Sequence, residues 1–298
     1  METIDRLKIT LSGPMAKRLA AFEDKLTEIR MRAGGRVQLV FPDGEEFLPD
    51  ILPAARLSEL LAMLMDYSVY ARESELRRGF FTLRDGSRVG VCGRMADLGN
   101  GQVRMAGIGS ICVRVARAVP GCADALADRV IDGDGVRSAL IVSPPGMGKT
   151  TMLRDLARQI SLRGWCVGIA DERHELAACY NGVPTLDVGP RTDVVDGAPK
   201  RIAIPLLVRS MAPRVIVTDE LGDWRDAETL ADAARCGVSI VASAHGRSIP
   251  MLAERKPMGD ILRLGVFQYA ALLSGAPGQL SEVRVIGGEG RGRDWKFA

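Results

Sequence analysis

The sequence predicts an α/β protein in which a domain built on a parallel sheet follows a smaller α+β domain. From Ala139 onward, short apolar runs of strand length alternate with helical repeats, which is typical of parallel strands covered by helices on both faces. Before residue 120, apolar runs are separated by glycine and Asp-Gly pairs, which favour hairpins. A DGDG run at 132–135 separates the two patterns. We therefore expect an N-terminal domain at 1–120, a linker at 121–137 and the parallel-sheet domain at 138–298.

Composition places the chain among ordinary globular proteins. Apolar residues make up 47% of the 298 residues, charged residues make up 26%, and the net charge is only +3. That charge is too small by itself to indicate a nucleic acid or membrane partner. The six cysteines lack C-x-x-C spacing and there are only two histidines, which argues against a structural zinc site. No apolar run has the length of a bilayer span, and the N-terminus lacks a signal-peptide core. We expect a reduced, cytoplasmic protein.

Hairpins and one helix account for the predicted N-terminal domain. Glycine pairs and Asp-Gly pairs supply the positive φ that tight hairpins need. Between the hairpins, leucines repeat at helical spacing from Leu57 to Met65. The predicted strands are 27–31, 37–41, 80–83, 88–91 and 111–115.

Arginine is enriched in the second half of this domain. Between Arg72 and Arg117 there are nine arginines and four acidic residues. We interpret them as the solvated edges of hairpins, with a basic face for phosphate, lipid or a partner as the alternative.

Residues 143–151, SPPGMGKTT, have the pattern of a phosphate-binding loop. An apolar run of strand length precedes them, and a helical repeat follows, with Arg154, Asp155 and Arg158 opposite its apolar positions. Glycines at 146 and 148 allow backbone N–H groups to face an anion, and the helix N-terminus adds positive potential. Lys149 is expected on the outer phosphates of ATP and the Thr150 hydroxyl on Mg²⁺. The expected nucleotide-binding residues are Pro145, Gly146, Met147, Gly148, Lys149, Thr150 and Thr151.

Three later strands are expected to end in polar residues of the same site. The run 215–218 leads into Asp219 and Glu220, as in a Walker B segment, so Asp219 is expected to hold Mg²⁺ and Glu220 to deprotonate the attacking water. Glu172 follows the run 166–170 and is the rival base, because ligands bind beyond the carboxyl ends of parallel strands.

Other candidates at this edge are a histidine and three arginines. The fourth strand of this domain is predicted at 238–243, and His245 at its end is expected to sense the γ-phosphate or to polarise the water. A charge-stabilising arginine is expected among Arg173, Arg191 and Arg209, in the same subunit or a neighbour. The sequence does not rank these three arginines.

Longer motifs carry a family resemblance over nearly the whole chain. The segments SPPGMGKTTMLRDLAR, VGIADERHELAACYNGVP, DVGPRTDVVDGAPK, LLVRSMAPRVIVTDELG and SAHG, with LTEIRMRAGGRVQLVF and RRGFFTLRDGSRVGVCGRM before them, resemble the stage III sporulation protein AA family. That family is similar to the hexameric ATPases of type II and type IV secretion systems. The resemblance implies a RecA-like P-loop NTPase domain that hydrolyses ATP to ADP and phosphate with Mg²⁺.

The resemblance also implies a location and partners. It implies a homo-oligomer, expected to be a hexamer, in the cytoplasm of the mother cell. Membrane proteins of the sporulation channel complex, which links the mother cell to the forespore, would hold it peripherally at the membrane. Within the motifs, Glu172 matches the acidic box of the secretion ATPases and His245 their histidine box. Ser143 replaces the leading glycine of the loop, and Pro205 interrupts a helix of the family pattern, so we expect that helix to begin near Ile204.

Two other classes of function remain open. A nucleic-acid-dependent RecA-like ATPase would use the arginines of 72–117, and a scaffold would bind nucleotide without turnover. We expect no sequence-specific nucleic acid binding, because the net charge is small and neither a reading helix nor a stacking platform is evident.

Overall fold

The computed structural model describes residues 2–11, 13–22, 25–67, 76–77, 79–99, 102–116 and 118–287. The chain forms two compact units. The first consists of the residues up to 116 together with 178–181, and the second of 117–177 together with 182–298. Separate folding of the N-terminal residues stays a prediction.

The first unit is an antiparallel sheet with helices. Its strands are β1 Glu28–Arg32, β2 Gly35–Phe41, β3 Gly44–Leu52, β4 Phe80–Thr82, β5 Arg88–Gly99 and β6 Gln102–Arg114. They lie in the order β3-β2-β1-β6-β5-β4. The helices are α1 Glu2–Thr10, α2 Gly13–Ala21 and α3 Ala54–Leu64. Alternate residues of β1, Ile29 and Met31, are fully buried in the core of this unit, as a sheet with one solvated face requires.

Described arginines of the enriched segment make contacts within the first unit. The Arg88 guanidinium lies 3.6 Å from the ring centroid of Phe80, and Arg114 Nε lies 3.2 Å from a carboxylate oxygen of Glu28. These contacts favour the interpretation as hairpin edges. Arg72, Arg78 and Arg117 lie outside the described residues.

The second unit is built on a mostly parallel sheet, which confirms the predicted α/β class. Its strands are β9 Ala139–Ser143, β10 Val167–Asp171, β11 Thr192–Asp196, β12 Val215–Thr218, β13 Ser239–His245, β14 Tyr269–Leu273 and β15 Leu280–Val285. Their order is β11-β10-β12-β13-β9-β14-β15, and β15 alone in this sheet is antiparallel to its neighbour. Every residue of β9, β10 and β12 is buried, because helices cover both faces.

Helices of the second unit are α4 Asp124–Val130, α5 Lys149–Leu162, α6 Lys200–Met211, α7 Trp224–Arg235, α8 Ile249–Glu254 and α9 Met258–Arg263. Among the described residues, no helix is long and apolar enough to cross a membrane.

The stretch expected as a linker, 121–137, is folded. It holds α4 and a small ribbon of β7 Ile131–Asp132 and β8 Gly135–Val136. Asp155 of α5 holds the start of this stretch in place. Its Oδ2 accepts the N–H groups of Gly121 and Ala123 at 3.0 and 2.9 Å. The sequence interpretation had placed Asp155 on a polar face, and that was wrong: its carboxylate is buried because backbone N–H groups satisfy it.

The expectation that α6 begins near Ile204 is also wrong. The helix begins at Lys200, with Pro205 inside it. A proline there removes one backbone hydrogen bond and costs about 3 kcal/mol. Ala203, Ile204 and Leu207 are buried on both sides of the proline, so packing against the core stabilises the helix across Pro205.

Candidate nucleotide-binding site

The register of the parallel sheet brings the predicted site residues to one edge. Thr218 of β12 pairs with Ala170 of β10 and with Ala242 of β13, and His245 pairs with Ser143 of β9. The four strands therefore end side by side. Ligands of open α/β sheets bind beyond these carboxyl ends, and the predicted loop, acidic pairs and histidine all lie at them.

The loop between β9 and α5 has the backbone of an anion-binding turn. Gly146 and Gly148 have φ values of 77° and 82°, in the left-handed region that favours glycine. Gly148 is the N-cap of α5, so the positive end of a 14-residue helix points into the loop. Pro145 and Gly146 are exposed, while Met147, Thr150 and Thr151 are partly exposed. The loop can therefore meet a ligand from solvent.

Lys149 lies folded back onto the start of its own loop. Its Nζ lies 3.0 Å from the Ser143 carbonyl oxygen, 3.1 Å from Ser143 Oγ, 2.9 Å from the Pro144 carbonyl oxygen and 3.0 Å from Nδ1 of His245. The residue is only 7% exposed. Burial lowers the pKa of Lys149 to about 8, against a smaller opposing effect of Glu220. Ser143, at the position of the usual glycine, thus supplies two of the oxygens that hold the ammonium.

Asp219 is a buried carboxylate with an unsatisfied oxygen. The residue is 3% exposed, and Oδ1 has no hydrogen-bond partner. Burial raises the pKa of Asp219 to about 7. An orphaned buried oxygen calls for an explanation, and a bound cation provides one.

The residues present fit a Mg²⁺ ion. The Thr150 hydroxyl and the Asp219 carboxylate are hard oxygen ligands, and Mg²⁺ typically takes one or two protein ligands together with water and phosphate oxygens. In the part of the chain that the structure describes, no group of three His, Cys, Asp or Glu residues could hold a metal by itself. The site therefore suits a metal that arrives with a phosphate ligand.

Glu220 stands at the centre of a chain of polar contacts. Its backbone is left-handed, with φ 38°, and its N–H donates to Ser243 Oγ at 3.0 Å. One carboxylate oxygen pairs with Arg173, and the other lies 3.4 Å from Nε2 of His245. Because the Lys149 ammonium donates to Nδ1, the His245 proton belongs on Nε2, facing Glu220. Lys149, His245, Glu220 and Arg173 are thus linked in that order.

Glu172 is engaged differently from Glu220. Its Oε2 lies 2.8 Å from Nζ of Lys200, a lysine that is 5% exposed. Both glutamates line a cleft of about 380 Å³ together with Arg173, Lys200, Arg201 and Arg225. Each candidate base is therefore paired with a cation on the wall of the same cleft.

Two further residues, not assigned to the site from sequence, build the loop that carries Glu172 and Arg173. Asp171 is fully buried and accepts the N–H groups of residues 175, 176 and 177 at 2.8, 3.0 and 2.9 Å. Arg154 of α5 donates to the carbonyls of residues 175 and 176 at 2.6 Å each. The placement of Arg154 on a polar face was wrong, because these carbonyls satisfy it in the interior. An acidic residue ending a buried strand was the available signal for Asp171.

The three candidate arginines make different contacts, and these contacts show which of them lies at the site. Arg173 lines the cleft and pairs with Glu220. Arg191 donates to the carbonyl of Ser161 at 3.1 Å, and Arg209 donates to the carbonyl of Pro205 at 3.2 Å on α6 itself. Of the three, the structure brings Arg173 to the site.

Comparison with solved structures defines the class of fold. The chain superposes on the ATPase DotB of Legionella pneumophila with a TM-score of 0.59 and 13% identity, covering 86% of this chain and 74% of that one. The pilus retraction motor PilT, solved with bound ADP, gives a TM-score of 0.55 and 16% identity, covering 85% of this chain and 75% of that one. The protein therefore has the fold of RecA-like P-loop ATPases.

Sequence comparison identifies the family. Residues 5–292 match the family described as Sporulation stage III, protein AA. The chain is 35% identical over 266 residues to stage III sporulation protein AA of Bacillus subtilis (strain 168), covering 87% of this chain and 86% of the relative. The protein belongs to the sporulation stage III protein AA family, and the resemblance seen in its motifs is confirmed.

Proposed function

We propose that this protein binds ATP with Mg²⁺, hydrolyses it to ADP and phosphate, and works as the motor of a secretion-type membrane assembly. The contact chain from Lys149 through His245 to Glu220 carries the proposal. It links the cation expected on the outer phosphates with the carboxylate expected to activate water. These are the two functions that phosphoryl transfer to water requires.

Binding of ATP would reorganise the contacts of Lys149. Its Nζ now uses two backbone carbonyls as acceptors, which are weaker partners for an ammonium than phosphate oxygens. The N–H groups of the loop and of the first turn of α5 would surround the phosphates. Thr150 and Asp219 would hold Mg²⁺, which neutralises phosphate charge when bound.

Glu220 is the base that we favour. A water attacks the γ-phosphorus, the bond to the bridging oxygen of the β-phosphate breaks, and Glu220 takes the proton of the water. Glu220 contacts His245, which also contacts Lys149, whereas Glu172 pairs with buried Lys200. Release of Glu220 from Arg173 would free the base and leave Arg173 to stabilise charge on the transferred phosphoryl group.

Family membership supports the cellular part of the proposal. We assign the protein to the mother-cell cytoplasm, as a homo-oligomer, expected to be a hexamer, held at the membrane by proteins of the channel between mother cell and forespore. The same family includes the Bacillus subtilis relative named for sporulation stage III.

Phosphate release by the purified full chain tests the catalytic part. We expect turnover of ATP with Mg²⁺, and loss of turnover when EDTA is added. Absence of turnover in the monomer and in every oligomer separated by gel filtration would leave a nucleotide-binding scaffold as the better account.

A further inference from the structure

The turn between β14 and β15 lies against the phosphate-binding loop. The N–H of Gly278 donates to the carbonyl oxygen of Met147 at 2.9 Å. A Cβ on Gly148 would lie 3.0 Å from the backbone nitrogen of Gly278 and 3.3 Å from its Cα. The hydrogen bond and the close approach show that the backbones of the two turns touch.

Hydrogen bonds within the turn stabilise its conformation. Gln279 Oε1 accepts the N–H of Ala276 at 3.1 Å, the N–H of Gln279 donates to the carbonyl of Ala276 at 3.0 Å, and the N–H of Ser274 donates to the carbonyl of Gln279 at 3.2 Å. Gly275 and Gly278 take positive φ values of 86° and 80°. The turn is therefore held from within, and it presents a fixed N–H to the loop.

The contact sets the orientation of one peptide in the phosphate-binding loop. In a trans peptide, the C=O of residue 147 and the N–H of residue 148 point in opposite directions. Holding the Met147 oxygen toward the turn therefore directs the Gly148 N–H away from the turn. A flexible glycine loop gains most from such an external restraint, because Gly146 and Gly148 allow many other orientations.

We propose that the β14–β15 turn is a positioning element for nucleotide binding, and that Gly278 holds the Gly148 N–H in the orientation that donates to a phosphate oxygen. The inference rests on the proposed nucleotide site. A loop that is oriented before the ligand arrives loses less entropy on binding, so withdrawal of the turn weakens phosphate binding without unfolding the protein.

Shortening the turn tests the proposal. Leu273 and Leu280 are paired residues, so replacing 274–279 by Asn-Gly leaves a two-residue hairpin loop and withdraws the turn. The matched control is Ala276→Ser, which keeps every backbone N–H at an exposed position of the same turn. As a second variant, Gly278→Ala has open space for its methyl but a strained φ, so it displaces the N–H without a clash.

ADP affinity and hydrogen exchange are measured on all four full-length proteins. We expect the short-turn variant to bind ADP about tenfold more weakly, the value of one hydrogen bond, and Gly278→Ala to fall between it and wild type. Amide exchange at 146–148 in nucleotide-free protein becomes faster in both, while the melting temperature without nucleotide stays that of Ala276→Ser.

Equal exchange rates at 146–148 in the short-turn variant and the control would overturn the proposal, as would equal ADP affinities. Should the short-turn variant fail to fold, the same two comparisons on Gly278→Ala decide. If wild type binds no ADP, the nucleotide site itself fails, while the exchange comparison still decides whether the turn orients the loop.

Discussion

The Nζ atom of Lys149 lies 3.0 Å from Nδ1 of His245, and the far side of the same imidazole faces Glu220. A cation at the first residue of α5 and a carboxylate just after β12 are thereby joined by one ring. In the function that we propose, His245 would transmit the departure of Lys149 to the candidate base.

His245→Ala should separate binding from turnover. Lys149 keeps its three oxygen contacts, so ADP affinity should change little. Glu220 loses its neighbour, and we expect the turnover number to fall on the order of 10²-fold, a typical effect of lost acid–base assistance. Equilibrium binding measurements check the ADP affinity, and steady-state kinetics check the turnover number. Unchanged turnover would show that His245 only supports the fold.

Asp219→Asn should stabilise the nucleotide-free protein at high pH while removing the proposed Mg²⁺ ligand. The folded pKa of Asp219, about 7, lies above its ordinary value of 3.8. The folded state therefore binds more protons than the unfolded state between these values, and this group lowers the free energy of unfolding as pH rises through them. Asparagine cannot ionise, so the variant escapes this loss of stability. The melting temperature of Asp219→Asn minus that of wild type should therefore be larger at about pH 8 than at about pH 5.

Melting curves at both pH values, without and with ATP and Mg²⁺, check the Asp219 prediction. We expect the Mg²⁺-dependent part of the ATP stabilisation to disappear in Asp219→Asn. A variant that is less stable than wild type at high pH would contradict burial as the source of the raised pKa.

Glu220→Gln and Glu172→Gln distinguish the two candidate bases. Glu220→Gln keeps the shape of the side chain, so it should bind ATP yet lose turnover by roughly 10²–10⁴-fold. Glu172→Gln should retain most of its turnover, because Glu220, and not Glu172, lies beside His245. Glu228→Gln, an exposed position on α7, is the control. The reverse pattern, with Glu172→Gln inactive and Glu220→Gln active, would move the base to Glu172.

Nucleic acid should not bind tightly. Arg88 and Arg114 are engaged with Phe80 and Glu28, and the net charge is +3. We expect no submicromolar affinity for single- or double-stranded oligonucleotides in fluorescence anisotropy at physiological salt. Tight binding that falls steeply with salt and stimulates hydrolysis would support the nucleic-acid-dependent alternative.

The parallel sheet could be predicted from the sequence, because buried parallel strands are continuous apolar runs. Here two of those runs also end in a pair of acidic residues. Edge strand β11, TDVVD, has no fully buried residue, and it was missed because its pattern is mostly polar. Helix α1 was missed although Ile4, Leu7 and Leu11 are buried at helical spacing. That signal was available.

Within the site, sequence could name the residues but not their contacts. Lys149 and His245 are 96 positions apart, and only the register of β13 against β9 brings them together. The buried Arg154 and Asp155 looked solvated for a similar reason, because their backbone partners come from other segments. Periodicity reports the average face of a helix and not the local partners of a charge.

Thermal unfolding of the full chain with ATP and Mg²⁺ tests the central claim most directly. At roughly a hundredfold excess of ligand over Kd, linkage predicts a stabilisation of ~3 kcal/mol, seen as a rise in melting temperature. Lys149→Ala should abolish the rise, because the charge-assisted contact to phosphate is gone, while the exposed Lys17→Ala control should keep it. A wild-type melting temperature that does not change with ATP and Mg²⁺ would contradict the nucleotide site.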